Sequence, residues 1–180
     1  MASGSTIPEQ ISLIKSLFEN YARIWIKEAR NNKINVQVNL NESFSFLLSK
    51  EIPKWIIKKE YFFSFLAGFT DAEGWIGIYN NMATYSLGTC DKKILEIIAR
   101  GLNKFRIKTR SIFTDKRKGK PTTEGYFFKF DYHHLRINKK KDLLKLFIQI
   151  KPYIKHKNKI KALNRAIENI EWRNVKYDKK

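Results

Sequence analysis

The stretch Phe62-Phe63-Ser64-Phe65-Leu66-Ala67-Gly68-Phe69-Thr70-Asp71-Ala72-Glu73-Gly74 constrains this chain more than any other. Ser64, Gly68 and Ala72 recur every fourth residue, so on a helix they form one stripe of small side chains. Such a stripe admits a second helix backbone at close range, and it serves an internal helix contact equally well. Phe62, Phe65, Leu66 and Phe69 are left to fill the core. The helix end carries the chemistry. Glu73 falls in the last turn, where unpaired carbonyls accumulate negative charge and a carboxylate needs a cation to offset it. Downstream basic side chains supply one kind of cation, and a divalent metal another. Two such helices meeting about a twofold axis would bring two Glu73 carboxylates together, as oxygen ligands suited to Mg²⁺ and metal-activated water. Asp71 lies on another side of the helix and fits a brace for the turn.

Charge narrows the partner. Lys and Arg total 36 against 17 acids, a net +19, of which residues 61–180 hold +16 and residues 1–60 only +3. A field so lopsided attracts polyanions and releases their counterions, and nucleic acid is the natural one. Cys90 stands alone and forms no internal disulfide, which fits a reducing, intracellular setting. One Cys with His133, His134 and His156 makes no zinc pattern, and neighbours on a strand point to opposite faces, so His133 and His134 do not share an ion. The apolar run Ile11–Phe18 is interrupted by Lys15 and followed by Glu19, so neither a signal peptide nor a membrane span is expected.

The pattern predicts an α+β domain over 59–180, with an extension over 1–58 packed on it. In the extension, Thr6-Ile7-Pro8-Glu9 reads as a capping box opening a helix to about Ala29, and Ile34–Leu40 alternates as a half-buried strand. In the domain, the helix ending at Gly74 leads to strands over 75–80 and 83–89 around an Asn80-Asn81 turn. Asp91 caps a helix through Leu102. A second strand pair is expected over 106–114 and 126–132, then helices over 140–150 and 157–170. Four antiparallel strands with helices on one face leave the other face for a ligand. No internal repeat is visible.

Leu66-Ala67-Gly68-Phe69-Thr70-Asp71-Ala72-Glu73-Gly74 resembles the motif that names the LAGLIDADG homing endonucleases, with Phe69, Thr70 and Glu73 as conservative departures. Asp91–Glu96 and Ile150–Lys157 extend the resemblance across residues 60–172. It implies an αββαββα fold with a saddle-shaped sheet on DNA and Mg²⁺-dependent cutting of both strands. Glu73, with Gly74 beside it, would ligate metal. Lys157 matches the family's pocket lysine, and Lys93 is a second candidate base. Thr89 stands where many members carry Gln. One motif copy implies a homodimer joined at Ser64, Gly68 and Ala72, with a near-palindromic target.

Strand parity supplies the DNA contacts independently. Arg106, Lys108 and Arg110 alternate, so all three project from one sheet face, which a packed core would not tolerate. Tyr79 and Asn81 share the outward parity, and Lys129 is a neighbour on the fourth strand. The loop carrying Lys116, Arg117 and Lys118 is expected on the phosphate backbone. Tyr126, Phe128, Phe130 and Tyr132 also alternate and are assigned to the core rather than to a base-stacking platform. Two rivals stand beside the endonuclease reading: an RNA-binding maturase of the same fold, and a non-catalytic basic binder such as a ribosome-associated protein.

Overall fold

A computed structural model describes residues 2–28, 33–48 and 52–177. The chain divides into two compact units, Met1–Pro53 with His156–Asn158, and Lys54–Lys155 with Lys159–Lys180.

In the N-terminal unit, strand β1 (Ala2–Ser5) leads to helix α1 (Pro8–Phe18), then strands β2 (Ile24–Glu28) and β3 (Ile34–Val38). The sheet order is β1-β3-β2, antiparallel throughout. Ile11, Val36 and Val38 are buried, with Ile14, Phe18 and Ile24 packed against them. The helix expected to run to Ala29 stops at Phe18. Ile24-Trp25-Ile26 is β-branched and aromatic, so pairing with β3 takes that stretch into the sheet. The capping box also fails. Ile7 is the N-cap without a side-chain bond, and Ser5 Oγ does the work, accepting from Ile7 N–H at 3.0 Å and donating to Gln10 at 2.8 Å. The 34–40 strand is present as β3, with Val36 and Val38 inward.

The larger unit begins with helix α2 (Lys59–Glu73), followed by strands β4 (Gly74–Tyr79) and β5 (Met82–Thr89) and helix α3 (Lys92–Lys104). Strands β6 (Phe113–Asp115) and β7 (Tyr132–Ile137) and helices α4 (Lys140–Ile150) and α5 (Lys157–Tyr177) complete it. The sheet order β4-β5-β7-β6 is antiparallel at every step. Asn80 and Asn81 adopt φ of 48° and 60°, the left-handed pair that a two-residue hairpin turn requires. Asn169 of α5 holds this turn, accepting from Ala83 N–H at 3.0 Å and donating to Asn81 O at 3.2 Å. Asp91 caps α3 through Lys93 N–H at 3.0 Å.

One face of the sheet is core. Ile76, Tyr85, Leu87, Leu135 and Ile137 meet Phe62, Phe63 and Leu66 of α2, Leu95 and Ile98 of α3, Leu146 and Phe147 of α4, and Leu163 of α5. Thr70 Oγ1 bonds Leu66 O and the Tyr85 hydroxyl, each at 2.7 Å, so the helix's buried polar group is satisfied. Burial pushes the Tyr85 hydroxyl's pKa well up, opposed by that Thr70 bond. Gly101 lets α3 press onto Phe62; a Cβ there would stand 2.2 Å from the ring.

The second strand pair differs from expectation. After α3, Arg106 turns at φ 58°, and residues 107–112 run irregularly rather than as a strand. A side chain substitutes for ladder pairing there: the buried Asp142 accepts Lys108 N–H at 3.1 Å, and Arg110 N–H reaches Arg136 O at 2.9 Å. Pairing shifts downstream, so β6 is three residues long and β7 starts where the fourth strand was expected to end. Between them, 116–131 forms a hairpin held by Gly119 N–H to Phe128 O and Phe128 N–H to Lys120 O. Tyr126 and Phe130 are 71% and 63% exposed, which overturns their assignment to the core. The sheet at β7 already receives Leu135 and Ile137 as its filling, so the hairpin's aromatics have no core to enter.

Candidate metal centre and nucleic-acid interface

At the C-terminal end of α2 the two acids part company. Asp71 is half-buried and accepts Lys155 N–H through Oδ2 at 2.8 Å, tying the helix end to the segment before α5. Its Oδ1 is buried and lacks a hydrogen-bond partner among the described residues. Glu73 points to solvent. Lys159 Nζ donates to Gly74 O, beside both carboxylates. Burial pulls its pKa down, while the negative charges of Asp71 and Glu73 push it back up. Lys157, two residues earlier, is the exposed first residue of α5. Thus the ammonium that the structure brings to the helix end is that of Lys159, which the sequence reading missed. The alternation of bases along Lys155, Lys157, Lys159 and Lys161 offered several candidates and no rule to choose among them.

Gly68 and Ala72 are exposed and Ser64 is half-buried, its hydroxyl donating to Tyr61 O at 2.9 Å. A Cβ built on Gly68 would meet nothing within 4 Å. Phe65 and Phe69, expected in the core, are only partly buried and stack with centroids 6.3 Å apart along the open side of the helix. This side therefore carries the exposed Gly68 and Ala72 beside the half-buried Ser64, Phe65 and Phe69.

The sheet face opposite the core follows from the register. Trp75, Ser86 and Arg136 lie in one row, and Gly88, His134 and Phe113 in the next. Trp75 lies over Gly77, where a Cβ would stand 2.4 Å from the indole, and Tyr132 packs on Gly88. Burial lowers the His134 pKa, with the Arg136 charge adding to the effect. Burial raises the Tyr132 pKa, and the Glu73 carboxylate adds to that. Arg136 is exposed at the centre of this face. The alternation His134-Leu135-Arg136-Ile137 marks Arg136 as outward, a signal the sequence reading passed over.

Lys108 and Arg110 are exposed on either side of the half-buried Thr109, and Ile107 is buried, so the expected alternation of side chains holds although the strand does not. Arg106 is exposed too, but its left-handed turn sets it apart from them. Tyr79 is 67% exposed and Asn81 tops the turn. Lys116, Lys118 and Lys129 are exposed on the hairpin. Arg117 is not a free phosphate contact. Its guanidinium lies 4.7 Å from the Phe128 ring centroid and 4.2 Å from that of Tyr132, locking the hairpin base. Lys93 is exposed in the first turn of α3. Thr89 Oγ1 accepts Asp91 N–H at 3.2 Å, a local turn that occupies its hydroxyl.

The model of the LAGLIDADG-like domain matches residues 60–151, just over half of the chain. The chain belongs to the LAGLIDADG-like family. An uncharacterized protein of Methanocaldococcus jannaschii is 26% identical over 148 residues, 81% of this chain; the chain spans 52% of that relative's length. The crystal structure of I-DmoI in complex with DNA and Ca superposes with a TM-score of 0.57 at 14% identity, covering 91% of this chain and 82% of that one. Full-length DUF199/WhiA from Thermatoga maritima gives 0.53 at 16% identity, covering 97% of this chain and 59% of that one. At such identities the likeness shows the LAGLIDADG fold alone, and at 91% coverage it reaches into the N-terminal unit as well. The fold is that of a family that includes homing endonucleases, and the expected α+β architecture stands.

Proposed function

We propose that this LAGLIDADG protein is a site-specific endonuclease that binds duplex DNA and hydrolyses both strands with a divalent cation, Mg²⁺ in the cell. The observation that carries the reading is the exposed Glu73 carboxylate at the end of a helix on which Gly68 and Ala72 are exposed. No group of three or more acidic, His or Cys side chains that could hold a metal occurs among the described residues. A second α2 helix, from a second copy of the chain packed on Ser64, Gly68 and Ala72, would complete the donor set with a second Glu73. A bound cation supplies an activated water and charge neutralisation at the scissile phosphate. The chain's own residues do the rest. Glu73 holds the cation, Lys159 sets a positive charge beside it, and Asp71 fixes the helix end. Arg136, Lys108, Arg110 and the hairpin lysines Lys116, Lys118 and Lys129 anchor the phosphates, with Tyr79 and Asn81 at the turn. Lys93 and Lys157 are exposed enough to reach a phosphate once DNA is bound.

The test is cleavage of a randomised duplex library with Mg²⁺, comparing the natural chain with Glu73→Gln. Cuts at twofold-symmetric sites, lost in the variant, are the expected result, together with dimeric mass in light scattering. Selective binding without cutting by either protein overturns the nuclease reading. That outcome would support a second reading, a DNA-binding protein that does not cut. The bond from Lys159 to Gly74 O favours it, because an ammonium then uses a carbonyl that a metal would need.

A further inference from the structure

We propose that the helical side of the larger unit carries a docking groove for an acidic peptide bearing a bulky apolar side chain, at the end of α2 opposite Glu73. Strand parity assigns Arg106 to the sheet face, but its left-handed turn sets it apart, among other bases. Lys59 and Phe63 lie one turn apart on α2, and Lys145 and Gln149 one turn apart on α4. With Arg106 they line a cleft of about 300 Å³. Lys145 Nζ donates to Arg106 O at 3.4 Å, which sets an ammonium at the rim. The floor is apolar: Phe63 and Ile107 are buried and Phe105 is half-buried. Ile148, 64% exposed, forms a lip. A second cleft, of about 400 Å³, continues past Ile148 to Pro152 and Tyr153, with Glu60 on its wall.

Charge and size together select the occupant. Lys59, Arg106 and Lys145 converge on one cleft, and none of the three forms an ion pair among the described residues. Asp142, the acid of α4, is buried and bonded to Lys108 N–H. Lys59 also opens α2, whose N-cap Lys58 brings no side-chain cap, so the positive end of the helix adds to the same field. Like charges around an apolar floor repel one another, and a ligand with carboxylates relieves that repulsion. The cleft admits one large side chain and is far too small for a duplex. Phe63 and Phe105 pack on one another, ring centroids 5.0 Å apart, so aliphatic Ile107 and Ile148 offer much of the free surface. Aliphatic walls suit a peptide side chain better than a nucleic-acid base, which stacks on open rings. Glu60 sets the direction: carboxylates belong at the Arg106 end and uncharged residues toward Tyr153. The 15 residues of α2 put roughly 21 Å between this groove and Glu73, so it fills whether or not the chain cuts DNA.

The experiment selects short random peptides, displayed on phage, against the full chain at physiological salt. Recovered peptides are expected to carry Phe, Leu or Trp beside Asp or Glu. A labelled synthetic peptide of that consensus is then titrated against variants by fluorescence anisotropy. Ile148→Ser, which keeps the charge, and Lys59→Gln/Lys145→Gln, which keeps the apolar surface, should each weaken binding about tenfold or more. Melting temperatures should hold, since all three side chains are exposed. Lys15→Gln/Lys27→Gln removes equal charge from exposed positions of the other unit and should leave binding unchanged. Equal loss in that control, or no loss on Ile148→Ser, overturns the proposal, because the attraction is then diffuse. Recovery of no consensus, or of one without acids, overturns it as well. A single-stranded RNA oligonucleotide that displaces the peptide and is itself weakened by Ile148→Ser assigns the groove to nucleic acid and overturns the peptide reading.

Discussion

The two antiparallel sheets differ in what they show to solvent. The larger one presents Arg136, His134 and Trp75 on its outward positions, and the smaller presents Gln37, Asn35 and Trp25. Inward positions are conservative in type, Leu and Ile on one strand answering Val and Val on the other. The difference teaches that burial of a few aliphatic residues at alternate positions suffices to fix the frame. The opposite parity is then free to carry a point charge in one sheet and a neutral amide in the other. Point charges suit phosphates and amides suit base edges, so the two faces offer different chemistry to a ligand.

The sharpest way to break this comparison is at the feature only the larger unit has. Glu73→Gln is expected to lower cleavage at least 100-fold in a Mg²⁺ plasmid assay while duplex affinity holds; equal loss of binding would make Glu73 a structural helix end. Next come the matched inward positions. Leu135→Ala should cost about 2–5 kcal/mol in denaturant melts, as a large-to-small change in a full core. Val36→Ala, in a cluster of three buried residues, should cost less and leave the signal from the larger unit in place. One shared transition for both variants would mean that the units do not unfold separately. On the outward positions, Arg136→Ala should reduce the slope of log affinity against log salt by about 1, and Gln37→Ala should leave it unchanged. Equal slopes would erase the distinction between the two faces.

The smallest effect concerns Lys159. Burial holds its pKa below the ordinary lysine value of 10.5 despite Asp71 and Glu73. The unfolded chain therefore keeps this proton to higher pH than the folded one, and stability contributed at this site rises as pH climbs toward 10.5. Lys159→Met should flatten that rise in melting temperature, and an unchanged profile would mean that the ammonium is solvated.

Much of the larger unit was legible because its signals are local. The α2 pattern, the Asn80-Asn81 turn and the Asp91 cap each depend on residues within a few positions of one another. Residues 107–112 were misread because the Lys108 and Arg110 amides bond to Asp142 and Arg136, partners far along the chain that no periodicity announces. The same distance hid Lys159, whose partner Gly74 lies 85 residues away. The 24–28 strand fell to a helical pattern that ran on past Phe18, where β-branched residues and a nearby partner strand decided otherwise.

The clamp of Asn169 on the β4–β5 turn bears on how Tyr79 and Asn81 would meet a groove. A tip bonded at Ala83 N–H and at Asn81 O is held before any ligand arrives, so little backbone freedom remains to be lost on contact. The turn behaves as a fixed peg rather than a probing finger. A mismatched groove must then deform to fit the peg, and discrimination at those base pairs falls on the stiffness of the DNA rather than on rearrangement of the protein.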